Sequence, residues 1–298
     1  MKLYLAEGGS LFRKCWELDK KERGGSESVN IYLAGAEFVA GYIRQKERTN
    51  MDIYLAGTEQ RGKELKKLGG GVFEDANILQ SFYYCDEFSE KVIIPESKRF
   101  LLDSGAFTFF SSGKTVDWND YIKRYADFIN RNNVEHFFEL DVDVLVGYDK
   151  VVDFRHRLED MTGKPTIPVW HKSRGKENFL RMCEDYKYVA IGGIVSKEIS
   201  RKEYPAFKWF ISEAHKRGVK IHGLGFTNLK GLEEYKFDSV DSTAWISGNR
   251  FGGVYEFNGK TLIKHNKPEG KRMGQVDKLA LHNFREWVKF SNYAEAKL

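Results

Sequence analysis

Tyr188-Val189-Ala190-Ile191-Gly192 and, further on, Lys220-Ile221-His222-Gly223-Leu224-Gly225 are short apolar runs separated by an amphipathic segment, and their reading decides the fold class. The intervening Tyr204–Arg217 has its apolar residues at helical spacing and is stopped by Gly218, the residue type that most readily leaves a helix end. Strand, helix and strand in that order predict a parallel pair joined by a crossover. The alternation continues outward. Ser239–Thr243 follows, and Thr166–His171, His136–Asp141, Phe100–Asp103, Asp52–Ala56 and Lys2–Ala6 precede. Trp118, Tyr121, Ile122, Tyr125, Phe128 and Ile129 recur at helical spacing behind Asp117, placed to cap that helix. Eight strands of this kind fit an α/β chain of (β/α)8 TIM-barrel type, at a length a little above the ~250 residues usual for it. A doubly wound open sheet is the competing arrangement.

The reading treats residues 1–298 as a single domain. From Gly252 the alternation stops, so 252–298 forms a C-terminal extension: a hairpin over Gly253–Ile263 turning at Asn258-Gly259, a basic segment, and a last helix near Val276–Phe290. With 41% hydrophobic residues and 22 Phe, the chain has ample material for a core. The net charge of +5 is compatible with a polyanionic partner without requiring one. Cys15, Cys85 and Cys183 are scattered, which opens no zinc site and reads as reduced thiols. No run approaches the ~18 apolar residues that cross a bilayer, and the start of the chain lacks a signal-peptide pattern. The expectation is a cytoplasmic protein with no membrane partner.

Polar residues gather where the runs end. Leu101-Leu102-Asp103-Ser104-Gly105, Glu139-Leu140-Asp141-Val142-Asp143 and Ser239-Val240-Asp241-Ser242-Thr243 each carry a carboxylate there. Ile167-Pro168-Val169-Trp170-His171 ends in an imidazole, and Ile191-Gly192-Gly193 in bare backbone. A lone Asp after a strand is usually a cap or turn former. Three of them with a His at strand ends point instead to a site, because barrel enzymes react at the C-terminal ends of their strands. His222 reads equally as a core histidine. Gly113-Lys114-Thr115 fails as a phosphate loop, since Thr108 stands where its first glycine is needed, and Gly69-Gly70-Gly71 only turns the chain. Two carboxylates on one rim suit attack at an anomeric carbon, or else a hard metal ion.

Several of these stretches occur together in one known family. Asp103-Ser104-Gly105-Ala106-Phe107 resembles the DSGGF signature of the tRNA-guanine transglycosylases. Ile191-Gly192-Gly193-Ile194 is similar to that family's GGL segment and Gly223-Leu224-Gly225 to its GVG segment. Phe237-Asp238-Ser239-Val240-Asp241-Ser242 resembles VDMFDC, and Leu281-His282-Asn283-Phe284-Arg285 resembles IHNLR. They stand in the family's order over roughly residues 100–290. The resemblance implies that Asp241 is the nucleophile on C1′, with Asp238 as rival, and that Asp103 is the general acid/base. It implies that Asp141 reads the guanine edge, with Gly192, Gly193, His171, Ser104 and Gly223 around the base.

The family's zinc site of three Cys and one His has no counterpart here, Ala106 replaces the second glycine of DSGGF, and Val195-Ser196-Lys197-Glu198 replaces AVGE. A zinc-free chain is more similar to the phage and bacterial branch that inserts 7-deazaguanines into DNA, which would place it in the cytoplasm, the host's if a phage encodes it. The implied partners are DNA and a free base such as 7-cyano-7-deazaguanine, with no metal and no cofactor. Arg250, Lys260, Lys264, Lys267, Lys271 and Arg272 form a basic run suited to the nucleic-acid backbone. The rivals are the same exchange on tRNA, a non-catalytic nucleic-acid-binding barrel, and a metal-dependent barrel hydrolase.

Overall fold

Asp52-Ile53-Tyr54-Leu55-Ala56 is apolar at four successive positions, the pattern of a strand covered on both faces. In the computed structural model, which describes residues 50–105, 108–109, 116–246, 252–267 and 274–298, it forms β1 (Asp52–Ala56), an interior strand of a parallel sheet. The other strands are β2 (Asn77–Ser81), β3 (Arg99–Asp103), β4 (Val169–Trp170), β5 (Tyr188–Ile191), β6 (Lys220–Gly223) and β7 (Ser239–Ser242). They are ordered β3-β2-β1-β7-β6-β5-β4, seven strands in a curled sheet flanked by helices. Asn50–Leu298 form one compact unit.

Between β3 and β4 the sheet is continued only by two isolated bridges. Phe137 bridges Leu102 and Phe138 bridges Ile167, both in the parallel sense. Pro168 contributes no N–H, so β4 is reduced to two residues where the sequence predicts Thr166–His171. The expected strand His136–Asp141 is likewise only this pair of bridges. Conversely β2 is a full strand that the sequence reading passed over, because Asn77 and Gln80 interrupt its apolar pattern; both are buried, and Gln80 is bonded to Thr58. The expected strand Lys2–Ala6 lies outside the described residues.

Alternation along the strands separates two apolar layers. Tyr54, Ala56, Leu79, Leu101, Phe138, Ile167, Val169 and Ala190 meet on the inner face. Ile53, Leu55, Ile78, Leu102, Val189 and Ile221 point outward to the helices. These comprise α1 (Gly62–Leu68), α2 (Trp118–Arg131), α3 (Tyr148–Thr162), α4 (Gly175–Asp185), α5 (Phe207–Lys216), α6 (Leu229–Glu234) and α7 (Val276–Lys297). Asp117 caps α2 as the sequence predicts, accepting from the backbone N–H of Asn119 and Asp120, a contact worth about 1 kcal/mol. From α2 the Tyr125 hydroxyl reaches the carbonyl of Phe138 at 3.0 Å and that of Leu102 at 3.3 Å, fixing the brief 137–138 pairing beside β3.

The hairpin expected after Gly252 is β8 (Gly253–Phe257) and β9 (Leu262–Asn266), with Gly259 at φ +91° in the turn. It lies on α7, where Asn283 and Glu286 accept from the backbone N–H of Tyr255 and Phe257. α7 runs one and a half turns or more beyond the expected Phe290, because Ser291 and Ala294 remain buried against the body. No helix among the described residues is long and apolar enough to cross a membrane.

Candidate active site

The inner face ends in carboxylates at the C-terminal edge of the sheet. Asp103 is two residues beyond the inward Leu101, and Asp241 is the register partner of the inward Tyr54, so both side chains turn to the interior. Asp103 accepts from the Gly105 N–H at 3.0 Å. Gly105 sits at φ +80°, and a side chain there would meet Tyr83 Cβ at 2.7 Å, so glycine is required to bring that N–H onto the carboxylate. Burial raises the Asp103 carboxyl to about 6; the Gly105 bond opposes this, and the charges of Asp241 and Asp141 push further in the same direction.

Asp241 is 8% exposed. Its Oδ1 accepts from the Gly225 N–H at 2.6 Å and faces His222 Nε2 at 3.3 Å. Among the described residues Oδ2 has no hydrogen-bond partner, which leaves one oxygen held and the other available. The rival Asp238 sits at the opposite end of β7, where it accepts from the Ile221 N–H at 2.8 Å and contacts His215 Nε2 at 2.9 Å. Those bonds tie β6 and α5 to β7 and give Asp238 a structural place.

The third acidic position is held quite differently. Asp141 Oδ2 lies 2.7 Å from His171 Nε2, and Asp141 Oδ1 lies 3.3 Å from Arg174. The other ring nitrogen of His171 meets Glu198 at 2.9 Å. Arg174, its side chain 2% exposed, also reaches Glu139 at 3.0 Å and Asp143 at 3.1 Å, donates to the Val169 carbonyl, and lies 4.5 Å from the centre of the Tyr148 ring. The fully buried Glu139 is shared with Arg155 at 2.6 Å. Burial disfavours the charged ring of His171, but hydrogen bonds to Asp141 and Glu198 outweigh it and lift its pKa to about 9. One donor atom each of Asp141, Asp143 and His171 lies within 4.8 Å of the others. Arg174 bonds both carboxylates of that trio.

The glycines at this edge make room for side chains. A Cβ on Gly192 would fall 2.7 Å from His171 Cε1, and one on Gly193, at φ +78°, 2.8 Å from Glu198 Oε2. The space the sequence reading reserved for a base is therefore occupied in part by the His171–Glu198 pair. Gly223 faces outward to Phe226 and Phe237. Ser104 is fully buried; its carbonyl accepts from the Tyr121 hydroxyl at 2.6 Å, and its own hydroxyl has no partner among the described residues. Neither Gly223 nor Ser104 is brought into the carboxylate cluster.

In the basic run, Lys260, Lys264 and Lys267 are exposed on or beside the β8–β9 hairpin. Arg250, Lys271 and Arg272 lie outside the described residues. The sequence reading missed Arg174, Glu139 and Glu198. Their only signals were the alternating carboxylates of Glu139-Leu140-Asp141-Val142-Asp143 and an arginine three residues past His171. No family model and no curated protein matches the chain.

Proposed function

We propose that the chain is a DNA-guanine transglycosylase of (β/α)8 type, in which the 136–141 segment completes a ring between β3 and β4. The ring reading is supported by the parallel bridges on both sides of Phe137–Phe138 and by the β1–β7 pairing. The functional reading is carried by one observation: Asp103 and Asp241 share the inner face at the C-terminal edge and feel each other's charge, with no Lys or Arg bonded to either among the described residues.

Such a pair can divide the work at a sugar carbon. Asp241 Oδ2 attacks C1′ as the bond to guanine breaks, and the protonated Asp103 delivers its proton to the departing base. The sugar is then held as an ester of Asp241. An incoming 7-deazaguanine gives its ring N–H proton to Asp103 and attacks C1′, the ester bond breaks, and Asp241 is restored. Two displacements retain the β-configuration. An Asp103 pKa of about 6 suits a group that must give and then take a proton near neutrality.

The rim favours an unstacked nucleotide. Tyr83 and Tyr84 follow β2, Val144 and Leu145 follow Asp141, and Val195 follows β5, all large apolar side chains left exposed at this edge. Exposed rings and wedges of this kind are what hold a displaced base or fill its place, at a cost of roughly a few kcal/mol for the unstacking. The test is transfer of labelled 7-cyano-7-deazaguanine into DNA, with tRNA and Asp241→Asn run in parallel. Label in DNA that vanishes with the substitution is the expected result. Label confined to tRNA replaces the polymer, and no label in either overturns the reading.

A further inference from the structure

Asp241 stands at the end of a buried polar chain that the reaction above does not use. Its Oδ1 meets His222 Nε2 at 3.3 Å, His222 Nδ1 meets Ser239 Oγ at 2.7 Å, and Ser239 Oγ meets the Tyr188 hydroxyl at 2.5 Å. His222 is fully buried, with the rings of Tyr54 and Phe138 at centroid distances of 6.2 and 5.3 Å. A polar chain through an otherwise apolar interior costs stability unless each member is satisfied in one definite sense. Here the sense is set from both ends. A carboxylate only accepts, so Nε2 carries a proton; with one proton on the ring, Nδ1 accepts from Ser239, whose oxygen accepts from Tyr188. Burial drives the Tyr188 phenol far above its usual range, which keeps it a donor.

We propose that His222 is a positioning residue, locked as the Nε2–H tautomer by Ser239 and Tyr188, that turns the Asp241 carboxylate so that Oδ2 faces the sugar. The role rests on the transglycosylase reading; the hydrogen-bond chain does not. With the Gly225 N–H on the same oxygen, the carboxylate is gripped at two directions on Oδ1 and cannot rotate its free oxygen away without losing both. Val195 lies against Gly225, where a Cβ would collide with its Cγ2. The parity of β6 explains the placement: His222 is in register with Ala190 on one side and Ser239 on the other, both on the inner face.

Two measurements test this. In protein labelled with ¹⁵N-histidine, the His222 ring, assigned by its loss in His222→Gln, is expected to show Nε2 protonated and Nδ1 bare, and Ser239→Ala to mix the tautomers. A ring protonated at Nδ1 overturns the chain whatever the activity. In the base-exchange assay, His222→Phe is expected to lower kcat about 10- to 100-fold with KM unchanged, while His222→Gln, whose amide N–H stands near the Nε2 position, recovers most of the rate. A folded His222→Phe with wild-type kcat, or equal losses in both variants, removes the positioning role. If the wild-type protein exchanges no base, the transglycosylase reading is what fails. The grip on Asp241 is then read from its carboxyl ¹³C resonance, which must move in His222→Phe and, if it does not, overturns the proposal.

Discussion

The two sides of the candidate site solve opposite electrostatic problems. At the ends of β3 and β7, Asp103 and Asp241 meet backbone N–H groups, a histidine and the charge of other carboxylates, with no Lys or Arg bonded to either among the described residues. Beside β4, Glu139, Asp141, Asp143 and Glu198 are threaded by Arg155, Arg174 and His171 into a continuous set of ion pairs. Without a cation beside them, Asp103 keeps a raised pKa and Asp241 an available oxygen, which suits covalent chemistry. Carboxylates shared among buried guanidinium groups are fixed in place and satisfied, which suits orientation of a ligand edge. On the proposed reading one rim holds a reactive half and a rigid half.

Breaking the reactive half should have the largest effect on function. Asp241→Asn is expected to lower base exchange by on the order of 10⁴-fold or more with little change in stability, read from label transfer and a thermal melt on one preparation. If instead the variant unfolds, Asp241 belongs with the structural carboxylates and the contrast between the halves is lost. Arg174→Ala should do the reverse. It leaves Asp143 without an ion pair and takes one cation from each of Glu139 and Asp141, and is expected to cost about 3–5 kcal/mol in urea unfolding, whereas a loss below about 1 kcal/mol would show that the β4 side is not held by its ion pairs.

The titration of each half sharpens the same contrast. In the proposed reaction glycosyl transfer to Asp241 needs the Asp103 proton, so its single-turnover rate is expected to fall as pH rises through about 6. Asp103→Asn should abolish that limb and slow transfer by roughly 10²–10⁴-fold; a limb unchanged in the variant belongs to another group. His171 titrates the other half. Its folded pKa of about 9 lies above the ordinary 6.5, so its contribution is complete below pH 6.5 and is lost as pH rises through about 9. Stability is expected to decline by about 3 kcal/mol at most over that window, and His171→Gln should flatten the decline. The smallest effects concern the hairpin: Lys264→Ala and Lys267→Ala should each weaken DNA binding modestly and reduce the magnitude of the salt slope by about 1. Slopes equal to wild type would take the hairpin out of the DNA path.

Much of this was legible in the chain. Asp103, Asp141, His171 and Asp241 are marked by the same local event, an apolar run stopping at a polar residue, because strands buried on both faces must end where the chain meets water. The helix at Trp118 and the hairpin at Asn258-Gly259 are marked by caps and turn residues whose effect is local. β2 escaped because Asn77 and Gln80 are made tolerable only by partners elsewhere, such as Thr58 for Gln80. Glu139 and Arg174 escaped for the same reason. A charge in sequence reads as surface until its counter-charge is brought to it.

The sequence by itself determined the alternation of strands and helices and the positions where runs end. Hydrophobic period and turn chemistry are properties of neighbouring residues and need nothing else. Only the tertiary structure decided that Asp238 belongs to the far end of β7, that Gly192 and Gly193 make room for His171 and Glu198, and that His222 faces Asp241. Each of these depends on which strands become neighbours and in what register. That choice is set by burying many side chains at once, with a magnitude no single local pattern carries.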